Sequence, residues 1–410
     1  MNIFIGHQSK SELLTNFSWG WVILFSCLLC QVGYCQVAVT GKEERITLKD
    51  FRFRHPMSVI SSEEVAIVKD RIKKRVEPQA TAFKQLLTEA DRQLDFVADP
   101  PESMDIMGGY EKNSNLAENR AWLWRNCHAA YTLALAYTYT GNPKYAKKGV
   151  EVLNSWARKG TVFTGQDRGL QLGSHFTPML YAADLLRSYQ GWEQPDRIRF
   201  KQWWIENCLV HTADVMRTRS NNWKDHGVLG VMVAAVVFED TALLEESLNQ
   251  LLGYYKSNPD RRVARFGTAW KMSKDQRGTY LTAEVTRNGG RSGLTYTFYS
   301  LTSGVECLEI ARYVGYDFWS AMTPQGANFQ GAIEQLFKWS RQGEAFPWNA
   351  APDNKQSSPF NMFEIANNHC TLPGPMKEWL IKNRPIFGVT GDEYVTLNKA
   401  DVSSLHESGK

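Results

Sequence analysis

The chain is poor in the signatures of several large function classes. No GxGxxG opens a strand–helix–strand unit, and no GxxxxGK(S/T) loop occurs, so neither common phosphate cradle is present. The HExxH pair, the GxSxG elbow and the EF-hand loop are also missing. There is no dense Lys/Arg block, and the formal net charge is only +4 over 410 residues. That balance argues against nucleic acid as a partner, yet it suits a polyanion met in a local groove. Long hydrophobic runs reduce to one, Trp21 to Leu29, preceded by Lys10 and followed by Gly33, Tyr34 and Cys35. It is short for a membrane span and has the form of a secretory signal-peptide core, with cleavage expected after Cys35. Bulky Leu29 and Tyr34, before Cys30 and Cys35, argue against a lipoprotein. The expectation is a signal peptide over 1–35 and a secreted or periplasmic protein over 36–410, without stable membrane insertion.

Cysteine is sparse beyond that point: Cys127, Cys208, Cys307 and Cys370. None of the four stands in CxxC spacing, so zinc is not expected, and nothing else calls for a metal or a cofactor. An exported chain could pair them in one or two disulfides. The apolar helical surroundings of Cys127, Cys208 and Cys307 fit buried thiols equally well.

What is abundant is helical periodicity. Glu118–Thr140 is rich in Ala, Leu and aromatics, Gly141-Asn142-Pro143 interrupts it, and Lys144–Arg158 resumes the pattern. The same two-beat arrangement recurs as Leu170–Tyr189 with Pro195–Arg217, Trp223–Phe238 with Thr241–Tyr255, and Thr295–Val314 with Gly331–Trp339. Apolar residues at i, i+3, i+4 and i+7 indicate amphipathic helices, and no βαβ rhythm is visible. Successive hairpins without a fixed-length consensus predict an all-α, single-domain α/α toroid rather than a repeat array. The long links Asn258–Glu284 and Gln342–Phe360 have the length of functional loops.

Two segments concentrate chemistry. Glu284 to Tyr299 reads EVTRNGGRSGLTYTFY and holds Arg287, Arg291, Tyr296 and Tyr299 around a Gly-Gly pair. A guanidinium beside a phenol favours the phenolate, and arginine is well shaped to hold a carboxylate. A turn and helix start with ordinary surface arginines would look the same. Ser220 to Gly227 reads SNNWKDHG and opens an apolar helix, with Asn222 and His226 at i and i+4 on one face. An amide and an imidazole so placed could bind a carboxylate or abstract a proton, although asparagine also serves as a plain N-cap. His175 lies near a helix start after Gly173. His369 has Glu364, Asn367 and Asn368 for company, a polar cluster that could line a site. His128, in an apolar helix, reads as a core group. Trp124 and Trp223 are among the tryptophans near polar segments that could stack on sugar rings, a role that competes with core packing. Carboxylate-pair hydrolysis through Glu284, Glu364 and Asp225 has no specific spacing behind it.

Taken in order, GNPKYAKKGVEVLNSWA, QLGSHFTPMLYAADLLR, RSNNWKDHGVLGVMVAAVVFED, EVTRNGGRSGLTYTFYSL and EIARYVGYDFW resemble the successive blocks of the alginate lyase domain, an α/α toroid family of polysaccharide lyases. The resemblance spans roughly Met104 to Arg384 and is nearest the polymannuronate and glucuronan lyase lineage, family thirty-eight. It implies β-elimination on a β-1,4-linked polyuronate. Asn222 and His226 would neutralise the uronate carboxylate with help from Arg287 or Arg291, and Tyr296 would transfer protons. His175, Trp223, Tyr299, Trp124, His369 and Glu364 are the remaining expected substrate contacts, with Tyr299 the fallback for Tyr296. Better-known members carry a histidine directly after the two asparagines, where this chain has Trp223. The role then passes to His226 one turn on, or to His175, or is absent. The expected partner is an acidic polysaccharide, bound by a monomer without metal. A glycosaminoglycan lyase of hyaluronan or heparosan type and a non-catalytic carbohydrate-binding toroid are the competing readings.

Overall fold

A computed structural model describes residues 46–219, 221–252, 283–320, 328–351, 361–388 and 390–402. The chain divides into two units, Met1–Gly33 and Tyr34–Lys410; the first, with the expected signal peptide, lies outside the described residues. So do most of the link Asn258–Glu284 and residues 352–360 of the link Gln342–Phe360. No helix among the described residues is long and apolar enough to cross a membrane.

The hairpins form where the sequence places them. Helix α1 (Ser62–Lys74) and α2 (Gln79–Gln93) precede α3 (Leu116–Thr140) and α4 (Pro143–Lys159). The turn between α3 and α4 shows why: Gly141 takes φ +69°, and Asn142 accepts the Lys144 N–H at 3.1 Å while Pro143 occupies the first helical position. The expected helix Leu170–Tyr189 is two pieces, α5 (Arg168–Ser174) and α6 (Pro178–Leu185). Pro178 cannot continue the ladder of α5, so it starts a new helix and leaves His175 at the break. Pro195–Arg217 is likewise α7 (Gln194–Trp204) and α8 (Val210–Thr218), joined by a π-helical turn at Ile205–Leu209.

Helix α9 (Asn222–Val237) is buried along its length apart from half-buried Trp223, as its all-round apolar sequence demands. It packs against α5, α8, α10 (Thr241–Leu252) and α11 (Gly293–Tyr313). After these come α12 (Phe329–Arg341), α13 (Asn361–Ala366), α14 (Gly374–Asn383) and α15 (Val395–Lys399). The C-terminal stretch, although polar, is buried because its groups are paired: Lys399 Nζ donates to Glu64 at 2.9 Å and to Glu309 at 3.2 Å. All four cysteines of the described residues are free thiols, so the disulfide alternative is set aside.

A two-stranded parallel sheet, β1 (Ser103–Asp105) and β2 (Val162–Thr164), is the one departure from helix with a role in the site. It docks the loop after β1 onto the turn at 165–167. Gly165, at φ +86°, is required there, since a Cβ would lie 2.3 Å from the Ile106 carbonyl oxygen. That loop carries Tyr110.

Candidate active site

The start of α9 is where the site begins. Asn221 is the N-cap: its side chain accepts the Trp223 N–H at 3.3 Å. Asn222 is therefore the first helical residue, and capping does not use its amide. It is 3% exposed, and its Oδ1 is buried with no hydrogen-bond partner among the described residues. A buried amide oxygen in that state is costly unless a ligand meets it. The Asn222 backbone N–H donates to Glu284 Oε1 at 2.8 Å.

Glu284 belongs to a short 3₁₀ turn, Ala283–Thr286, and is itself 3% exposed. Its other oxygen lies 3.5 Å from Arg287 Nη1. The Arg287 guanidinium carbon in turn lies 4.8 Å from the centre of the Tyr296 ring. Arg287 is thus the arginine that meets the tyrosine; Arg291 is exposed, beyond the left-handed Gly289 and Gly290. Gly290 is needed for close approach as well, because a Cβ there would sit 2.6 Å from the Trp348 carbonyl.

Tyr296 stands in the first turn of α11, half-buried, with its hydroxyl 3.1 Å from that of Tyr110. Tyr110 is 80% exposed and comes from a position 186 residues away. The phenol of Tyr296 is pushed up to about 12, by burial first and then by the hydrogen bond with Tyr110; Arg287 acts in the opposite sense and does not prevail. The sequence expectation that a guanidinium neighbour would favour the phenolate is corrected in that respect. Tyr110 moves the other way, lowered chiefly by its hydrogen bond with Tyr296.

His226 lies one turn beyond Asn222 on α9. His226 is 2% exposed, its Nδ1 2.6 Å from Ser303 Oγ on α11. Tyr299 meets its ring edge-on at 6.1 Å. Helix α5 crosses close by: a Cβ on Gly173 would lie 2.6 Å from the His226 carbonyl, so only glycine lets the helices approach. This contact brings His175 beside His226. Burial, Arg120 and His226 together drive the His175 imidazole down to about 3, and its Nδ1 is 2.8 Å from Ser174 Oγ. A group so hard to protonate is a poor general base near neutrality. Trp223 is half-buried beneath the guanidinium of Arg219, 4.7 Å from its ring centre.

Two expected contacts are placed elsewhere. Glu364 is fully buried, paired with Arg384 and accepting from Thr396 Oγ1 at 2.9 Å. His369 lies 2.7 Å from Glu309 and stacks on Trp319 at 4.7 Å. Glu309 is thirteen residues beyond Tyr296 on α11, about 20 Å along the helix. In this structure both side chains are engaged by partners of the buried charge network of the C-terminal segment. Tyr110, Arg120 and Ser303, which adjoin Tyr296, His175 and His226, were not singled out from the sequence. The Gly-Gly-Tyr run at 108–110 was the one available signal.

The alginate lyase family model matches residues 70–346. The chain belongs to the alginate lyase family. It is a polysaccharide lyase, and the match covers every element that builds the site. The solved structure of an alginate lyase from Bacteroides ovatus shares 22% identity, covers 76% of this lyase and 92% of its own chain, and superposes with a TM-score of 0.56. Alginate lyase A1-III from Sphingomonas species A1 shares 15% identity, with 84% and 99% coverage and a TM-score of 0.61. A variant of A1-III complexed with a tetrasaccharide gives 0.62. These likenesses establish the helical toroid fold. No curated protein sequence matches the chain.

Proposed function

We propose that this lyase cleaves a β-1,4-linked polyuronate, polymannuronate-type alginate or glucuronan, by β-elimination, with Tyr296 moving the proton. The observation that carries the reading is the Glu284 bridge, which joins the Asn222 helix start to the Arg287–Tyr296 pair.

The C5 proton of a uronate is barely acidic while the neighbouring carboxylate is charged. Asn222 and Arg287 would neutralise that carboxylate, and His226, held by Ser303, completes the pocket wall. A preorganised set of donors of this kind stabilises charge as it develops. The base takes the C5 proton, the electron pair forms the C4–C5 double bond, and the C4–O bond breaks with its electrons on oxygen. A proton delivered to that oxygen completes the step. In mannuronate and glucuronate the C5 hydrogen and the C4 oxygen lie on the same side of the ring, so one group can serve both ends. Tyr296 is that group, with exposed Tyr110 as its link to solvent.

The test is a substrate panel of polymannuronate, polyguluronate, glucuronan and hyaluronan, read by ultraviolet absorbance of the new double bond. Absorbance with polymannuronate or glucuronan is expected. Absorbance with hyaluronan alone transfers the activity to glycosaminoglycans, and reducing ends without absorbance indicate hydrolysis.

A further inference from the structure

Two hydroxyls of α11 reach across to adjacent residues of α9. Ser300 Oγ donates to Asp225 Oδ2, and Ser303 Oγ lies 2.6 Å from His226 Nδ1. All four side chains are buried. Ser303 stands seven residues beyond Tyr296, so the two share a face of α11 about 10 Å apart along the axis. One helix thus carries both the phenol assigned to proton transfer and the hydroxyl that grips the imidazole.

Which nitrogen of a neutral imidazole bears the hydrogen is set by the bond that the other nitrogen makes. Ser303 Oγ has one hydrogen and two acceptors in reach: His226 Nδ1 at 2.6 Å and the Tyr299 carbonyl oxygen at 3.4 Å. The first separation is that of a strong hydrogen bond, and the second lies at the limit of one. The hydroxyl hydrogen therefore goes to Nδ1, which leaves the ring hydrogen on Nε2. An imidazole in that form donates through Nε2 and has no lone pair there to accept a proton.

We propose that Ser303 is a positioning residue that keeps the ring hydrogen of His226 on Nε2, so that His226 meets a uronate carboxylate as a hydrogen-bond donor and is not the base. The inference rests on the polyuronate reading above. It separates the two roles open to an imidazole on the Asn222 face of α9, and it leaves proton abstraction to Tyr296.

The experiment is nitrogen-15 NMR of histidine-labelled protein near neutral pH, with H226Q identifying the His226 signals, alongside kinetics of S303A. Wild type should show the His226 hydrogen on Nε2, and S303A a mixture of the two ring forms, a signature that a purely structural role would not move. S303A should also lose about three- to tenfold in kcat/KM on the polymer that wild type cleaves, the worth of one neutral hydrogen bond. The Ser300–Asp225 bond remains in S303A to hold the helices in register, and circular dichroism checks the fold. A His226 hydrogen on Nδ1 in wild type, or wild-type kcat/KM in S303A, overturns the inference. If wild type forms no unsaturated product from any polyuronate, the lyase reading fails instead. The Nε2 signal titrated with a mannuronate oligomer then still tests the donor: a shift in wild type supports it, and a signal that stays in place overturns it.

Discussion

Glu284 accepts the backbone N–H of Asn222 at 2.8 Å through one carboxylate oxygen and faces Arg287 at 3.5 Å through the other. One buried side chain therefore ties the start of α9 at Asn222 to Arg287 and its neighbour Tyr296, the two ends of the proposed site. Replacing it by glutamine keeps an acceptor for Asn222 but removes the charge facing Arg287. We expect E284Q to fold and to lose about tenfold in kcat, whereas E284A leaves the Asn222 N–H unsatisfied and also loses about 1–3 kcal/mol of stability. Denaturant titration alongside steady-state kinetics separates the two; equal kinetics for E284Q and wild type would remove Glu284 from the site's organisation.

Tyr296→Phe removes the hydroxyl while keeping the ring under Arg287. Loss of acid–base chemistry should cost at least ~100-fold in kcat with a much smaller change in KM. Tyr299→Phe should cost far less, because the contact of Tyr299 with His226 is one between rings, which phenylalanine keeps. The reverse ranking would transfer the role to Tyr299.

The pH dependence follows from the raised phenol of Tyr296, about 12 in the free protein. If its phenolate is the base, the active fraction grows as pH approaches that value, so kcat/KM on polymannuronate should climb through the alkaline range until the fold gives way. His175, held near 3, stays neutral from pH 5 to 8 and contributes no limb there. A profile flat above neutrality and falling with a histidine-like limb on the acid side would make a histidine the base.

Glu306, one turn beyond Ser303 on α11, offers a stability test. Burial raises its carboxyl from 4.5 to about 7, although Asp392 N–H, Tyr181 and Asn361 all hydrogen-bond to it. The folded state therefore holds this proton more tightly than the unfolded chain does. Stability is unaffected below about pH 4.5, declines as pH rises to 7, and carries the full cost above, up to about 3 kcal/mol. Glutamine cannot ionise, so E306Q should show a shallower decline than wild type between pH 5 and 8 in urea titrations. Parallel curves would refute the shift.

Helix positions were legible because the 3.6-residue period and the Gly-Asn-Pro turn act locally. The same locality made Asn222 and His226 readable as one face of α9. The break between α5 and α6 was written in Pro178, yet apolar residues on both sides masked it. What could not be read was pairing across the chain. Tyr110 meets Tyr296 over 186 residues, and Glu364 and His369, polar in sequence, turn out to satisfy Arg384 and Glu309 in the interior. The choice between Arg287 and Arg291 likewise required the fold, because the left-handed Gly289 and Gly290 separate them.

The central claim is elimination on a polyuronate by a site centred on Tyr296. Its most direct measurement is ultraviolet absorbance during incubation of wild type and Y296F with polymannuronate and glucuronan. Absorbance that rises with wild type on at least one of them and stalls with Y296F is the predicted result. Absorbance on neither polymer, or an equal rise with both proteins, would contradict the account.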